Sequence, residues 1–289
     1  MTDVRPSKGW HETVSAEELT GEATRSKHRL VSSPQVRTPS QFMMNKVPEV
    51  TFAFWVIKIA ATTVGETGGD ALSMTMNFGY AAGTAVFFAI FIAAVAAQVA
   101  SDRFHPFLYW AVIVATTTAG TTMSDYLDRT LGLGYPLASL LLLAMVLLVL
   151  VLWRLVTGSV SVNHISTRRA ETFYWLTILF SNTLGTALGD FIADSSGLGY
   201  EGGALAFGAA LAVIAAAYFR IRVSHTLLFW AAFILTRPLG ATLGDILTKP
   251  HPHGGLELGR ISSSLIIATF MVACILCSSQ RPERSSPAG

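Results

Sequence analysis

Five acidic residues stand in otherwise apolar surroundings: Glu66, Asp70, Asp125, Asp190 and Asp245. A carboxylate inside an apolar span costs on the order of 3 kcal/mol on insertion scales, so such residues face a bundle interior or water and mark an ion or proton pathway. Oxygen donors suit hard divalent cations such as Mg, Mn or Ca, whereas a soft-metal site draws on Cys, Met or His. Hydroxyls accompany the acids. At roughly 100° per residue, Thr63, Glu66 and Asp70 share one helix face; Thr118, Thr121 and Asp125, then Thr183, Thr186 and Asp190, repeat the stripe. The expectation is that Asp70, Asp125, Asp190, Asp245 and Glu66 bind a cation or protons, with Thr63, Thr118 and Thr183 adding ligands. The opposing reading makes each Asp an exposed helix end or an N-cap for the loop beyond it.

Two basic residues, Lys58 and Arg237, lie deeper in their spans, and carboxylates are the partners available to them. Two positive against five negative charges leave a surplus of three negatives, which a bound cation or protons would neutralise. Lys58 and Arg237 then act as charge partners that compete with the cation. In the fourth acidic stretch Pro238 removes a backbone hydrogen bond, so a kink or break is expected one turn before Asp245, with a freed carbonyl as a further ligand.

The elements that position these side chains are apolar helices. The 289-residue chain is 52% hydrophobic and only 13% charged, against roughly 25% charged in soluble domains. Eight stretches approach the ~20 residues needed to cross a bilayer: about 50–72, 80–100, 106–127, 135–156, 172–193, 200–219, 225–246 and 260–278. The net charge of +2 is too small to suggest nucleic acid. Basic residues collect on one side of these stretches (Lys46, Arg103, Arg154, Arg168, Arg169, Arg220, Arg222, Arg281), while the other side holds Arg129, Lys249 and Arg260. The positive-inside rule then places both termini in the cytoplasm of a bacterial inner membrane. Residues 1–45 read as a disordered cytoplasmic tail without a signal peptide, and 280–289 as a short cytoplasmic tail.

Internal repetition settles the organisation. Trp55, Trp110, Trp175 and Trp230 each follow another aromatic residue. Ten residues on stand Gly65, Gly120, Gly185 and Gly240; fourteen on, Gly69, Ser124, Gly189 and Gly244; fifteen on, the four aspartates. The glycines form a small-xxx-small pattern that lets helix backbones approach closely in lipid. Trp spacings of 55, 65 and 55 group the units as two pairs related by a 120-residue shift. The expected fold is all-α: eight transmembrane helices in four parallel hairpin repeats, about 46–100, 101–156, 168–222 and 223–279, arranged as two pseudo-two-fold pairs.

On these residues the chain resembles a family of bacterial and archaeal integral membrane proteins built from four copies of a repeat of unknown function. The segment from Lys46 to Ser73 carries the resemblance in the first copy, and SNTLGTALGDF and TRPLGATLGD carry it in the third and fourth. The resemblance implies a membrane location and no catalytic or binding residue.

No phosphate loop, nucleophile elbow or HExxH motif is present, so no enzyme and no cofactor is expected beyond a bound divalent cation. Cys274 and Cys277 read as small hydrophobes on one face, and His251-Pro252-His253 as a solvated loop. The sequence points to a transporter or channel for a small cation, with the bilayer and the cation as partners and a homo-oligomer open. Alternatives are a carrier for an organic cation or small metabolite, and a non-transporting assembly or sensor protein whose charges fix helix register.

Overall fold

The computed structural model describes residues 46–101, 103–162, 165, 167–251, 254–278 and 281; the expected N-terminal tail and all but Arg281 of the C-terminal tail lie outside them. The described residues form eight long helices: α1 (Phe52–Asp70), α2 (Gly79–Ala100), α3 (Pro106–Asp125), α4 (Tyr135–Thr157), α5 (Arg168–Asp190), α6 (Gly199–Arg220), α7 (His225–Thr248) and α8 (Arg260–Cys277). Thr51 and Thr167 cap α1 and α5 by accepting backbone N–H bonds at 3.3 and 3.2 Å, and Pro106 opens α3, where its missing N–H costs nothing.

Six of the eight, all except α1 and α3, are long and apolar enough to cross a membrane. The chain is thus a multi-pass membrane protein. The two exceptions carry their polar residues inward. Lys58, Glu66 and Asp70 interrupt α1, and α3 holds a run of threonines that bond to their own helix, as Thr116 does to Val112 O at 2.9 Å.

The first helices of the repeats, α1, α3, α5 and α7, form a closed ring in which each packs against the next and α7 returns to α1. Aromatic pairs mark the closure at one end. Phe54 meets Trp110 (5.4 Å between centroids), Tyr109 meets Trp175 (5.7 Å), Tyr174 meets Trp230 (6.2 Å) and Phe229 meets Trp55 (5.8 Å). The same pair of positions thus meets at all four junctions, each contact adding about 0.5–1.5 kcal/mol beyond area burial.

The glycines tell the same story deeper in the ring. A Cβ on Gly65 would collide with Thr117, one on Gly120 with Asn182 and Thr183, one on Gly185 with Arg237, and one on Gly240 with Thr62. One turn on, Gly69 abuts Thr121, Gly189 abuts Ala241 and Gly244 abuts Glu66. The expected packing role of Gly65, Gly69, Gly120, Gly185, Gly189, Gly240 and Gly244 therefore has defined partners, always on the next helix of the ring.

The second helices stand outside. Each packs chiefly on the first helix of the following repeat: α2 on α3, α4 on α5, α6 on α7 and α8 on α1. A hairpin is therefore not a separable unit, and the two expected pairs are joined into one cycle with four-fold-like contacts. The longer linker between the second and third copies lengthens a connection without changing this packing.

After Asp70, Asp125 and Asp190 the helices widen into five-residue π-helical turns, Ala71–Thr75, Tyr126–Thr130 and Phe191–Ser195. Gly79, Gly134, Gly199 and Gly254 then take positive φ at equivalent positions, which explains why glycine recurs where the chain turns toward the outer helix. The fourth repeat has no such widening. Its helix α7 runs unbroken from His225 to Thr248 through Pro238, so the expected break is not found. The carbonyl two residues before that proline, Thr236 O, accepts the hydroxyl of Thr62 at 3.4 Å.

Candidate functional site

Along the ring axis, inward-facing residues recur every fourth position, one helical turn apart. Beyond the aromatic tier come Lys58, Ile113, Ile178 and Phe233, then Thr62, Thr117, Asn182 and Arg237, then Glu66, Thr121, Thr186 and Ala241, and last the four aspartates. All sixteen are buried.

Arg237 crosses this axis. Its Nη2 donates to Glu66 Oε2 at 2.9 Å on α1, to Thr121 Oγ1 at 2.5 Å on α3 and to Thr186 Oγ1 at 2.6 Å on α5. One side chain from the fourth copy thus ties together the equivalent positions of the other three. Thr121 also donates to Glu66 Oε2 at 3.3 Å. The guanidinium is fully buried, so this planar donor set is held by geometry rather than by solvent.

Lys58 departs from expectation. Its Nζ reaches across the ring to Asn182 Oδ1 at 3.5 Å and lies 4.1 Å from the centre of the Phe233 ring. No carboxylate among the described residues pairs with it. Glu66, two turns further along α1, is already engaged by Arg237.

The four aspartates are buried, and none serves as a capping side chain, so the exposed-end reading is set aside. They are bridged in two pairs. Arg129 contacts Asp125 at 2.9 Å and Asp190 at 3.8 Å; Lys249 contacts Asp245 at 3.2 Å and Asp70 at 3.4 Å; Arg260 adds a contact to Asp70 at 3.5 Å. Arg129 and Lys249 occupy equivalent positions 120 residues apart, each four residues after its own Asp and reaching to the Asp of the next ring helix. The 120-residue two-fold relation thus holds in the charged tier, but the bridged pairs are the second copy with the third and the fourth with the first, not the expected first with second and third with fourth.

These three bases revise the charge count. Lys58, Arg237, Arg129, Lys249 and Arg260 match Glu66 and the four aspartates, five against five, so the expected surplus of three negatives is gone. Burial pulls the Lys249 ammonium down, but Asp245, then Asp70, Asp190 and Glu66, hold it well above its ordinary range.

Three acids remain close enough to share an ion. Glu66, Asp70 and Asp245, all buried, each present an oxygen within 4.8 Å of the others. Asp125 and Asp190 sit across the ring, on the two helices Arg129 joins, outside this group. Thr63, Thr118 and Thr183 do not join it either: each donates to its own helix, to Ile59 O at 3.0 Å, Val114 O at 2.9 Å and Leu179 O at 2.9 Å. The inward hydroxyls are one position earlier and three later, at Thr62, Thr117, Thr121 and Thr186. The i,i+4 spacing of Asp125 to Arg129 and of Asp245 to Lys249 was a readable signal for the missing bases.

Outside the ring tiers, Asp194 accepts from Tyr135 and Tyr200, each at 3.2 Å. His251 lies 3.5 Å from Glu257, and Pro252 and His253 fall outside the described residues.

With this cycle in view, a family model decides the kinship. The model described as Repeat of Unknown Function (DUF347) matches four times, at residues 53–104, 108–159, 173–224 and 228–281. The chain belongs to this family. Its four family repeats start within a few residues of the Trp of each ring helix, so one repeat comprises one ring helix and the outer helix that covers the next. No curated protein and no solved structure matches the chain.

Proposed function

We propose that this four-repeat protein transports a small hard cation across the bacterial inner membrane, with all eight helices spanning and both termini cytoplasmic. The observation that carries this reading is the group Glu66, Asp70 and Asp245, three buried carboxylates within 4.8 Å of one another in the wall of a helical ring. Oxygen donors at this density suit Mg or Mn better than a soft metal. Lys249 and Arg260 hold the ligand oxygens in the arrangement described, so cation entry exchanges an internal ammonium and guanidinium for the substrate. Both bases lie beyond the ends of the ring helices, where movement leaves the ring packing intact.

Arg237 closes the axis beneath the group by engaging helices α1, α3 and α5. Passage requires it to release Glu66, which couples occupancy of the carboxylates to opening. The test is manganese flux into proteoliposomes: Asp70→Asn and Asp245→Asn should each abolish it with expression unchanged, and normal flux in both would reject the assignment.

The matched five acids and five bases favour a second reading, in which the charges only fix helix register. That reading expects no flux at all, and recovery of folding when a pair such as Arg237 and Glu66 is exchanged. An organic amine would use the same carboxylates, and stabilisation by amines with none by divalent metals would favour it.

A further inference from the structure

In the middle of the ring, among the described residues, several buried donors lack a partner. Among the described residues Lys58 Nζ has one acceptor, Asn182 Oδ1 at 3.5 Å, and otherwise lies over the Phe233 face. Asn182 Nδ2, Arg237 Nε and Arg237 Nη1 are buried and have no hydrogen-bond partner among the described residues. Lys58 belongs to the tier next to that of Asn182 and Arg237. Glu66 offsets Arg237 through Nη2 and leaves Lys58 uncompensated at contact range. The aspartates stand twelve positions further along the helices, about 18 Å away, and already hold three bases of their own.

A buried cation without a counter-ion is costly, and an unpaired buried N–H adds a further penalty. A water molecule would satisfy hydrogen bonds and leave the charge. We infer that a halide-sized monovalent anion resides between Lys58, Asn182 and Arg237, held by the ammonium, the amide N–H groups and the free edge of the guanidinium. The surroundings fit a compact, weakly hydrated ion: Phe233 and Ile178 lie in the Lys58 tier, and all these side chains are buried. The anion is a resident of the fold rather than the transported species, so this inference goes beyond the cation reading and stands independently of it.

The test is thermal unfolding of the purified protein in sodium chloride or bromide against sodium gluconate at equal ionic strength, without divalent cations. Gluconate, a bulky and strongly hydrated anion, is the non-binding control. The halides should raise Tm by about 3 °C or more. Lys58→Met should abolish that response. Asn182→Asp, which supplies an internal carboxylate beside Lys58, should also abolish it while making the protein in gluconate at least as stable as the native chain in chloride. Equilibrium dialysis of the unmutated protein with radiolabelled chloride should find one ion per chain. Absence of bound chloride, or a halide response that survives in both variants, would overturn the inference and leave the cation proposal untouched.

Discussion

Arg237 and Glu66 form a 2.9 Å ion pair across the α7–α1 junction, where the ring of helices closes on itself, with the guanidinium fully buried. The pair joins the last repeat to the first. Truncating one partner leaves the other charged and dry, so Arg237→Met or Glu66→Gln should each destabilise by about 3–5 kcal/mol. The double variant should cost less than the sum by at least about 1 kcal/mol. A denaturation cycle in detergent reads this, and additive losses would mean that the two side chains do not depend on each other.

The ring glycines predict a contrast between positions that face the next helix and one that does not. Gly65→Ala drives a methyl into Thr117, and Gly185→Ala drives one into the Arg237 stem, so each should cost about 1–3 kcal/mol. A Cβ on Gly68 would meet nothing within 4 Å, and Gly68→Ala should be neutral or stabilising by up to about 1 kcal/mol. Comparing the three Tm values checks the ring packing, and equal losses at all three positions would contradict it.

Lys249 gives a pH signature. Its carboxylate neighbours raise its folded-state pKa above the ordinary 10.5, so its stabilisation is fully present below 10.5 and is lost only as pH rises through the higher folded value. The Tm difference between the native chain and Lys249→Met should therefore stay constant from pH 7 to about pH 10. A difference that shrinks by pH 9 would show that Lys249 is not held by Asp245 and Asp70.

Arg129 and Lys249 should be distinguishable by their acids. Arg129→Gln frees Asp125 and Asp190, whereas Lys249→Gln frees Asp70 and Asp245, two of the three acids that lie close together. Lys249→Gln should tighten manganese binding severalfold, and Arg129→Gln should leave it within twofold (both roughly, for loss of one competing charge). Titration of each variant decides, and equal changes would place the cation elsewhere.

The ring helices are legible in the sequence because their punctuation is repeated: an aromatic-Trp pair, Gly ten residues on, Asp fifteen on. Which surface each Gly touches is not, since close approach depends on the neighbouring helix, and the Thr117, Asn182, Arg237 and Thr62 contacts lie between repeats. The acids stand out through their cost in an apolar span. Their bases stand out less: Arg129 and Lys249 show only as i,i+4 partners of Asp125 and Asp245 past the ends of the ring helices, and Arg260, at the start of α8, reads as a loop charge. Within the expected threonine stripe, Thr121 and Thr186 face inward, whereas Thr63, Thr118 and Thr183 fall one residue late: a face assigned by angle alone does not distinguish Thr62 from Thr63, and only the first reaches a neighbouring ring helix. Charge balance assigns Lys58 a carboxylate, whereas the side chain extends sideways to Asn182 and Phe233.

Whether the carboxylates hold a cation is read most directly by electron paramagnetic resonance of manganese added to the purified, metal-free protein. The Glu66, Asp70 and Asp245 group predicts a saturable bound signal of one ion per chain, lost in Asp245→Asn and retained in Asp194→Asn. A native protein that leaves all manganese in its free hydrated form, or one whose bound signal survives in Asp245→Asn, would contradict it.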